Sequence, residues 1–402
     1  MQAMVVLSCW VLGSLQGATL ILVPEMMLQG ELTALELALP LSLGTFVFMC
    51  FSGYWGKRID LKVSKHQPLI SVIRWALLGF LISQISFILL LDFSHLQGLS
   101  LVTALCFSRV MHGVFCSALI PTAQLTLSKN DHKGDKLVWT SIATNTGRLT
   151  APLLTFIPLN INYFSLWFIA IITFFSLLLA WHHNETSMGY INPPTSPKSR
   201  VIEDKFTLFS NPLLIATCIA GVLISLFSSQ LQFSLGPLLL ARFENIQLVS
   251  EMTATLLFAA SVSALISLFI LYRPLSRYPK LFLTVIASSL IIGSILFMVQ
   301  EYLILAVVLI SSSLSMAPTW YTSLALHASH NNKGRTSAAI SQGHTLGSVL
   351  GALMGGLLFV LSEQILLFSF LFLMLMILFS WGMISFQDEK LDDQVLLTKK
   401  LN

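Results

Sequence analysis

Residues 163 to 182 read YFSLWFIAIITFFSLLLAWH, twenty positions without an Asp, Glu, Lys or Arg. A helix of about 20 apolar residues crosses a hydrocarbon layer about 30 Å thick, and a helix satisfies its own backbone polar groups there. The stretch reads as a membrane span, and similar stretches recur from end to end. Spans fall near 4 to 24, 33 to 54, 69 to 91, 99 to 121, 137 to 158 and 163 to 182. A second set falls near 211 to 236, 250 to 271, 280 to 299, 302 to 326, 336 to 359 and 364 to 385. The composition agrees with twelve spans, being 55% hydrophobic and only 10% charged, where a soluble domain carries roughly 25% charged residues.

The basic residues alternate by side. Lys57, Arg58, Lys62, Lys65 and Arg74 border spans 2 and 3, and Lys129, Lys133 and Lys136 lie between spans 4 and 5. Lys198, Arg200 and Lys205 follow, then Arg273, Arg277 and Lys280, then Lys333 and Arg335, and finally Lys390, Lys399 and Lys400. The opposite loops hold only Arg242, together with acids such as Glu25, Glu31, Glu36, Asp92 and Glu363. Basic loops stay in the cytoplasm, so both termini are expected there, in a bacterial inner (plasma) membrane. The first apolar stretch lacks a basic leader and is read as a retained helix. Cys9, Cys50, Cys106, Cys116 and Cys218 all fall within spans, spaced as buried hydrophobes rather than as a disulfide framework or metal site.

The longest polar stretch contains INPPTSPKSR from Ile191, whose prolines resist helix formation. It divides the chain into an N-terminal six-helix bundle (1–183), a cytoplasmic linker (184–208), a C-terminal six-helix bundle (209–386) and a cytoplasmic tail (387–402). An internal repeat supports the division. Lys133-Gly134 and Lys333-Gly334 are 200 residues apart, and so are Gly147 and Gly347. TGRLTAPLL from Thr146 then aligns with LGSVLGALM from Leu346. Small residues four apart, Gly147/Ala151 and Gly347/Gly351/Gly355, let helix backbones approach closely, either for tight packing or for sliding.

After Tyr54-Trp55 the sequence GKRIDLKVSK from Gly56 resembles the cytoplasmic loop signature of the major facilitator superfamily through Gly56, Asp60, Lys62 and Lys65, with Leu61 and Val63 departing from it. Span 4, SRVMHGVFCSALIP from Ser108, resembles the family's RxxxG helix through Arg109, Gly113 and Pro121. GRLTAP from Gly147, with Pro152, is similar to the glycine-proline motif of the antiporter branch, with Ala151 in place of its second glycine. The resemblance implies an all-α membrane protein, twelve helices in two pseudo-symmetric bundles around a central cavity, rocking against each other. It also implies that Arg109 serves proton coupling or substrate binding.

A charge near the bilayer centre costs roughly 2.5 to 3.5 kcal/mol unless it meets a cavity or partner, which singles out Arg109 and Arg148. Each has a structural alternative: Arg109 as an anchor to neighbouring carbonyls, Arg148 as a side chain snorkelling from the cytoplasmic end. Two cavity arginines favour an anionic or carboxylate-bearing solute. For proton traffic the candidates are Glu25 and Glu36 at outer helix ends, and His112 and His344 within spans, since a histidine titrates near neutrality. Against these stand a solvated loop acid and a hydrogen-bonded packing histidine. Gln16, Asn145, Gln230, Gln232 and Gln342 are candidate cavity liners, on spans that resemble the family's cavity-lining set, or else ordinary interhelical bonds.

The sequence contains no nucleotide-binding loop, metal-ligand pair or nucleophile motif, so a gradient must supply the energy. The expectation is a proton-driven exporter, without metal or cofactor and without nucleic-acid partners, working as a monomer on a small organic molecule. The cargo would be a drug-like compound or a secreted metabolite such as a siderophore. Topology does not fix direction, so an importer of a small organic anion stays open. So does a membrane enzyme, for which His182-His183 beside Glu185 is the one cluster, and so does a non-transporting receptor.

Overall fold

The computed structural model describes residues 2–65, 67–93, 95–128, 138–157, 163–182, 212–328 and 333–401. The expected linker, 184–208, lies outside them, as do Lys129, Lys133, Lys136, His183 and Glu185. Every element among the described residues is helical. The order is α1 (Gln2–Ile21), α2 (Val23–Gln29), α3 (Ala34–Ser64), α4 (Ile70–Asp92), α5 (Gly98–Cys116), α6 (Leu119–Ser128), α7 (Val138–Thr155) and α8 (Phe164–His182). The chain continues with α9 (Pro212–Leu240), α10 (Ile246–Ile266), a π-helical turn over Ser267–Leu271, α11 (Tyr272–Leu275), α12 (Pro279–Val299), α13 (Leu303–Ala328), α14 (Lys333–Leu361) and α15 (Glu363–Leu401).

Among the described residues, eleven helical stretches are long and apolar enough to cross a membrane. The expected fifth span is present as α7, which falls outside that set because its 18 residues include Asn145, Arg148 and five threonines, Thr140, Thr144, Thr146, Thr150 and Thr155. Its contacts with α1 restore the count of twelve. Gly13 faces the Thr144 carbonyl, and Gly17 faces Arg148 and Ala151. The two helices therefore climb in the same direction, and α7 crosses where α1 does.

Helix ends follow local chemistry. Thr33 and Glu36 form a capping box at the start of α3: the Thr33 N–H and hydroxyl both donate to Glu36 Oε2 at 2.8 Å, and the Glu36 N–H returns a bond to the Thr33 hydroxyl. Arg74 donates from Nε to the Ala180 carbonyl at 3.0 Å, occupying an acceptor in the last turn of α8. Outward faces are apolar where lipid would lie, as in the α15 stripe Phe368, Phe372, Leu375 and Phe379.

Three expectations need correction. Gly56, Asp60 and Lys62 do not form a loop but occupy the last turns of α3, and only Lys65 follows it. Beyond Pro40 no further proline falls in the helix, Pro68 disfavours continuation past its end, and Lys62 complements the negative end of the dipole. Pro121 does not close span 4, because the chain turns at Ser117 and Ala118 and Pro121 lies in the first turn of α6. Of the cysteines, only Cys9 and Cys116 are buried, whereas Cys50 is exposed on α3. The expected tail beyond 387 continues α15 as helix.

The described chain divides into two compact units. One comprises Met1–Pro197, Gln232–Ser261 and Gly355–Val360, and the other Lys198–Leu231, Val262–Met354 and Leu361–Asn402. Both repeat one construction. In the first, the Ser108 hydroxyl of α5 donates to the Ser83 carbonyl of α4 at 2.8 Å. In the second, the Ser313 hydroxyl of α13 donates to the Ile286 carbonyl of α12 at 2.7 Å. Gly347 and Gly351 of α14 press against the Val222 and Leu226 carbonyls of α9, again in parallel, much as Gly147 of α7 presses against the Trp10 carbonyl of α1.

Candidate functional site

Arg148 and Gln16 meet in the first unit. Arg148 donates from Nε at 3.1 Å and from Nη2 at 2.9 Å to the same atom, Gln16 Oε1. Both residues are exposed, and Gln16 is the one exposed residue among the described residues of α1. Local sequence explains the meeting. Glycines at 13, 17 and 147 remove side-chain bulk along the seam, so α1 and α7 pack closely enough for a glutamine to reach an arginine. Pro152 has no N–H, which leaves the Arg148 carbonyl without its usual helical donor. That oxygen lies against Gly17, where a Cβ would stand 2.9 Å away.

Arg148 sits ten residues beyond Val138 and seven before Thr155, about 15 Å and 10 Å along the axis. It is thus closer to the C-terminal end of α7 than to its N-terminal end, and its guanidinium reaches sideways to Gln16. Asn145, one turn earlier on the same face, is half-buried and makes no side-chain hydrogen bond among the described residues.

Arg109 is placed differently. It is 6% exposed, its guanidinium lies 3.8 Å from the Phe87 ring centroid, and Nη2 donates to the Thr19 hydroxyl at 3.2 Å. Its Nε has no partner among the described residues. A desolvated cation on an aromatic face gains about 2 kcal/mol or more, which offsets part of the cost of leaving water. Gly113 brings α5 against α3, since a Cβ there would meet the Gly44 carbonyl at 2.4 Å. Arg109 and His112 face α4 together, as their spacing implies, with His112 tilted against Phe80 at 5.2 Å and its ring beside Cys116 Sγ. Both arginines dock on one turn of α1, Arg148 at Gln16 and Arg109 at Thr19. Neither has a carboxylate partner among the described residues.

The remaining candidates separate. His344 is held at both ring nitrogens, Nδ1 by the Ser225 hydroxyl at 2.5 Å and Nε2 by Tyr321 Oη at 2.8 Å. Glu36 serves the α3 cap. Glu25 is half-buried on α2 and accepts from Gln29 Nε2 at 3.1 Å, while the Tyr163 hydroxyl donates to Gln29 Oε1. Gln230 is buried, with Nε2 bonded to the Ser369 hydroxyl and Oε1 without a partner among the described residues. Gln232 is half-buried on α9 and Gln342 is exposed on α14. Sequence reasoning missed Thr19, Phe87, Ser225, Tyr321, Gln29 and Tyr163. Each acts across helices, and only Thr19, three residues after Gln16, gave any positional hint.

A bundle of membrane-crossing helices that keeps an exposed arginine–glutamine pair among apolar spans is built as a solute carrier. The chain belongs to the Major Facilitator Superfamily, whose sequence profile matches residues 5–352. Sequence comparison with curated proteins gives no match. Among solved structures the fold is similar to a D-xylose-proton symporter, at 12% identity and a TM-score of 0.69 over 95% of this chain and 96% of that one. It is also similar to the nucleoside transporter NupG, at 12% and 0.69 over 95% and 98%. A third likeness is to a bacterial homologue of the iron transporter ferroportin, at 14% and 0.69 over 96% and 98%. At such identities the likeness is one of fold.

Proposed function

We propose that this superfamily transporter exports a small organic solute across a bacterial inner membrane in exchange for protons, by alternating access. The cargo is a drug-like compound or a secreted metabolite such as a siderophore, and the working unit is a monomer with both termini in the cytoplasm. One observation carries the reading: Gln16 and Arg148 are exposed midway along helices whose other outward faces are apolar. An amide and a guanidinium turned toward hydrocarbon would cost several kcal/mol, so their surroundings are aqueous. Proton coupling is assigned to Glu25, a half-buried acid in a hydrogen-bonded group. The glycines Gly113, Gly147, Gly347 and Gly351, with Pro152 and the α3 motif, serve the conformational change. The bundles 1–183 and 209–386 are its moving parts.

Everted membrane vesicles made acid inside test this reading. They should accumulate at least one of labelled citrate, a catecholate and a cationic dye. A protonophore should abolish the accumulation, and so should Arg148→Ala at normal membrane levels. Uptake confined to right-side-out vesicles would establish the importer instead. Indifference of every solute to the gradient would end the proton-coupled reading.

A further inference from the structure

We propose that Gln16 and Arg148 form a recognition site for an oxyanion, a carboxylate or its like, on the organic solute. Calling that ligand the cargo rests on the carrier reading, whereas the binding claim does not. Hydrogen-bond polarity carries the inference. Because two Arg148 donors converge on Gln16 Oε1, the glutamine carbonyl is spent and its Nε2 amide points elsewhere. The groups left over are the Nε2 hydrogens of Gln16 and, on Arg148, the Nη1 hydrogens and the second Nη2 hydrogen, none of which has a partner among the described residues. All are donors, and they carry a net positive charge that no described acid neutralises.

Such a set fits a ligand group that only accepts. A sugar hydroxyl would need acceptors in return, and an ammonium would meet like charge. A carboxylate satisfies both nitrogens and supplies the missing negative charge. Asn145 adds an amide one turn away on the same face. Arg109 does not share the site, because it is buried and its guanidinium is committed to Phe87 and Thr19. Its bond to Thr19 anchors α1 beside Gln16 without entering the site.

Purified full-length protein in nanodiscs tests the site without transport. Its Tm would be followed by tryptophan fluorescence against benzoate, citrate, benzamide and benzylammonium at matched ionic strength. Benzoate and citrate should raise Tm saturably, and benzamide and benzylammonium should not. Arg148→Ala should weaken the anion response about tenfold or more. Gln16→Glu should abolish it, because its own carboxylate occupies Arg148. Arg148→Lys, which keeps the charge but loses the planar fork, should retain a weakened response and guards against misfolding of the alanine variant. Arg109→Gln should lower Tm yet keep the saturable response.

No saturable anion effect in the wild type overturns the proposal. So does an effect equal in wild type, Arg148→Ala and Gln16→Glu, or one lost in Arg109→Gln alone. Loss of gradient-driven transport with the anion response intact would refute the exporter reading and leave this site standing.

Discussion

Glu25 lies just past the break between α1 and α2, half-buried, with Gln29 linking it to Tyr163. Burial pushes its carboxyl above the ordinary value, the nearby charge of Asp92 adds to that, and the Gln29 bond works against it. The sign follows from linkage. A raised acid holds its proton longer in the folded state, so its folding contribution is largest below the ordinary carboxylate value and declines as pH climbs through the raised one. Between about pH 4.5 and 8 the wild type should therefore lose thermal stability relative to Glu25→Gln, which has no charge to bury. Parallel unfolding curves for the two proteins over that range would contradict it. Arg109 and Arg148 were legible at this scale because an intramembrane charge is costly wherever it occurs. Which of them is exposed was not, since that depends on Phe87, Thr19 and Gln16, partners that no local pattern announces.

Along the helices, the glycine spacing at 147 and 347 was readable as close packing, and the structure supplies the opposing surfaces. A Cβ at Gly147 would stand 2.1 Å from the Trp10 carbonyl, and one at Gly347 2.2 Å from that of Val222. Backbone cannot yield as a flexible side chain does, so Gly147→Ala and Gly347→Ala should each cost about 1 to 3 kcal/mol, with lost transport. Gly382, with nothing within 4 Å, is the control. Gly382→Ala should leave stability unchanged or gain up to about 1 kcal/mol from helix propensity. Equal thermal unfolding of all three variants would remove the seam as a structural constraint. The extension of α3 through the basic motif was not legible, because charges mark a membrane boundary and say little about where a helix stops. The turn inside span 4 was hidden for the opposite reason, since Ser117 and Ala118 carry no strong turn signal.

For the whole molecule the decisive issue is parity. Apolar length alone gives eleven crossings among the described residues, and an odd number would leave the termini on opposite sides and break the alternation of basic loops. The helix in question, α7, is the one whose polar residues build the proposed site. Function therefore costs it the hydrophobic signal by which spans are recognised. Its parallel course beside α1, fixed by the paired contacts at Gly13 and Gly17, makes it a twelfth crossing. The surface it packs on α1, the Thr144 backbone, Gly147 and the Ala151 methyl, carries little side-chain bulk. A fluorescent protein fused after Asn402 should accordingly be sealed inside right-side-out vesicles and resist external protease, and a tag before Met1 should be equally protected. Repeating the experiment with fusions truncated between spans 4 and 5 and between spans 5 and 6 should move the reporter from protected to accessible. Accessibility unchanged across that pair would mean that α7 does not cross, and would separate Arg148 from any route through the bilayer.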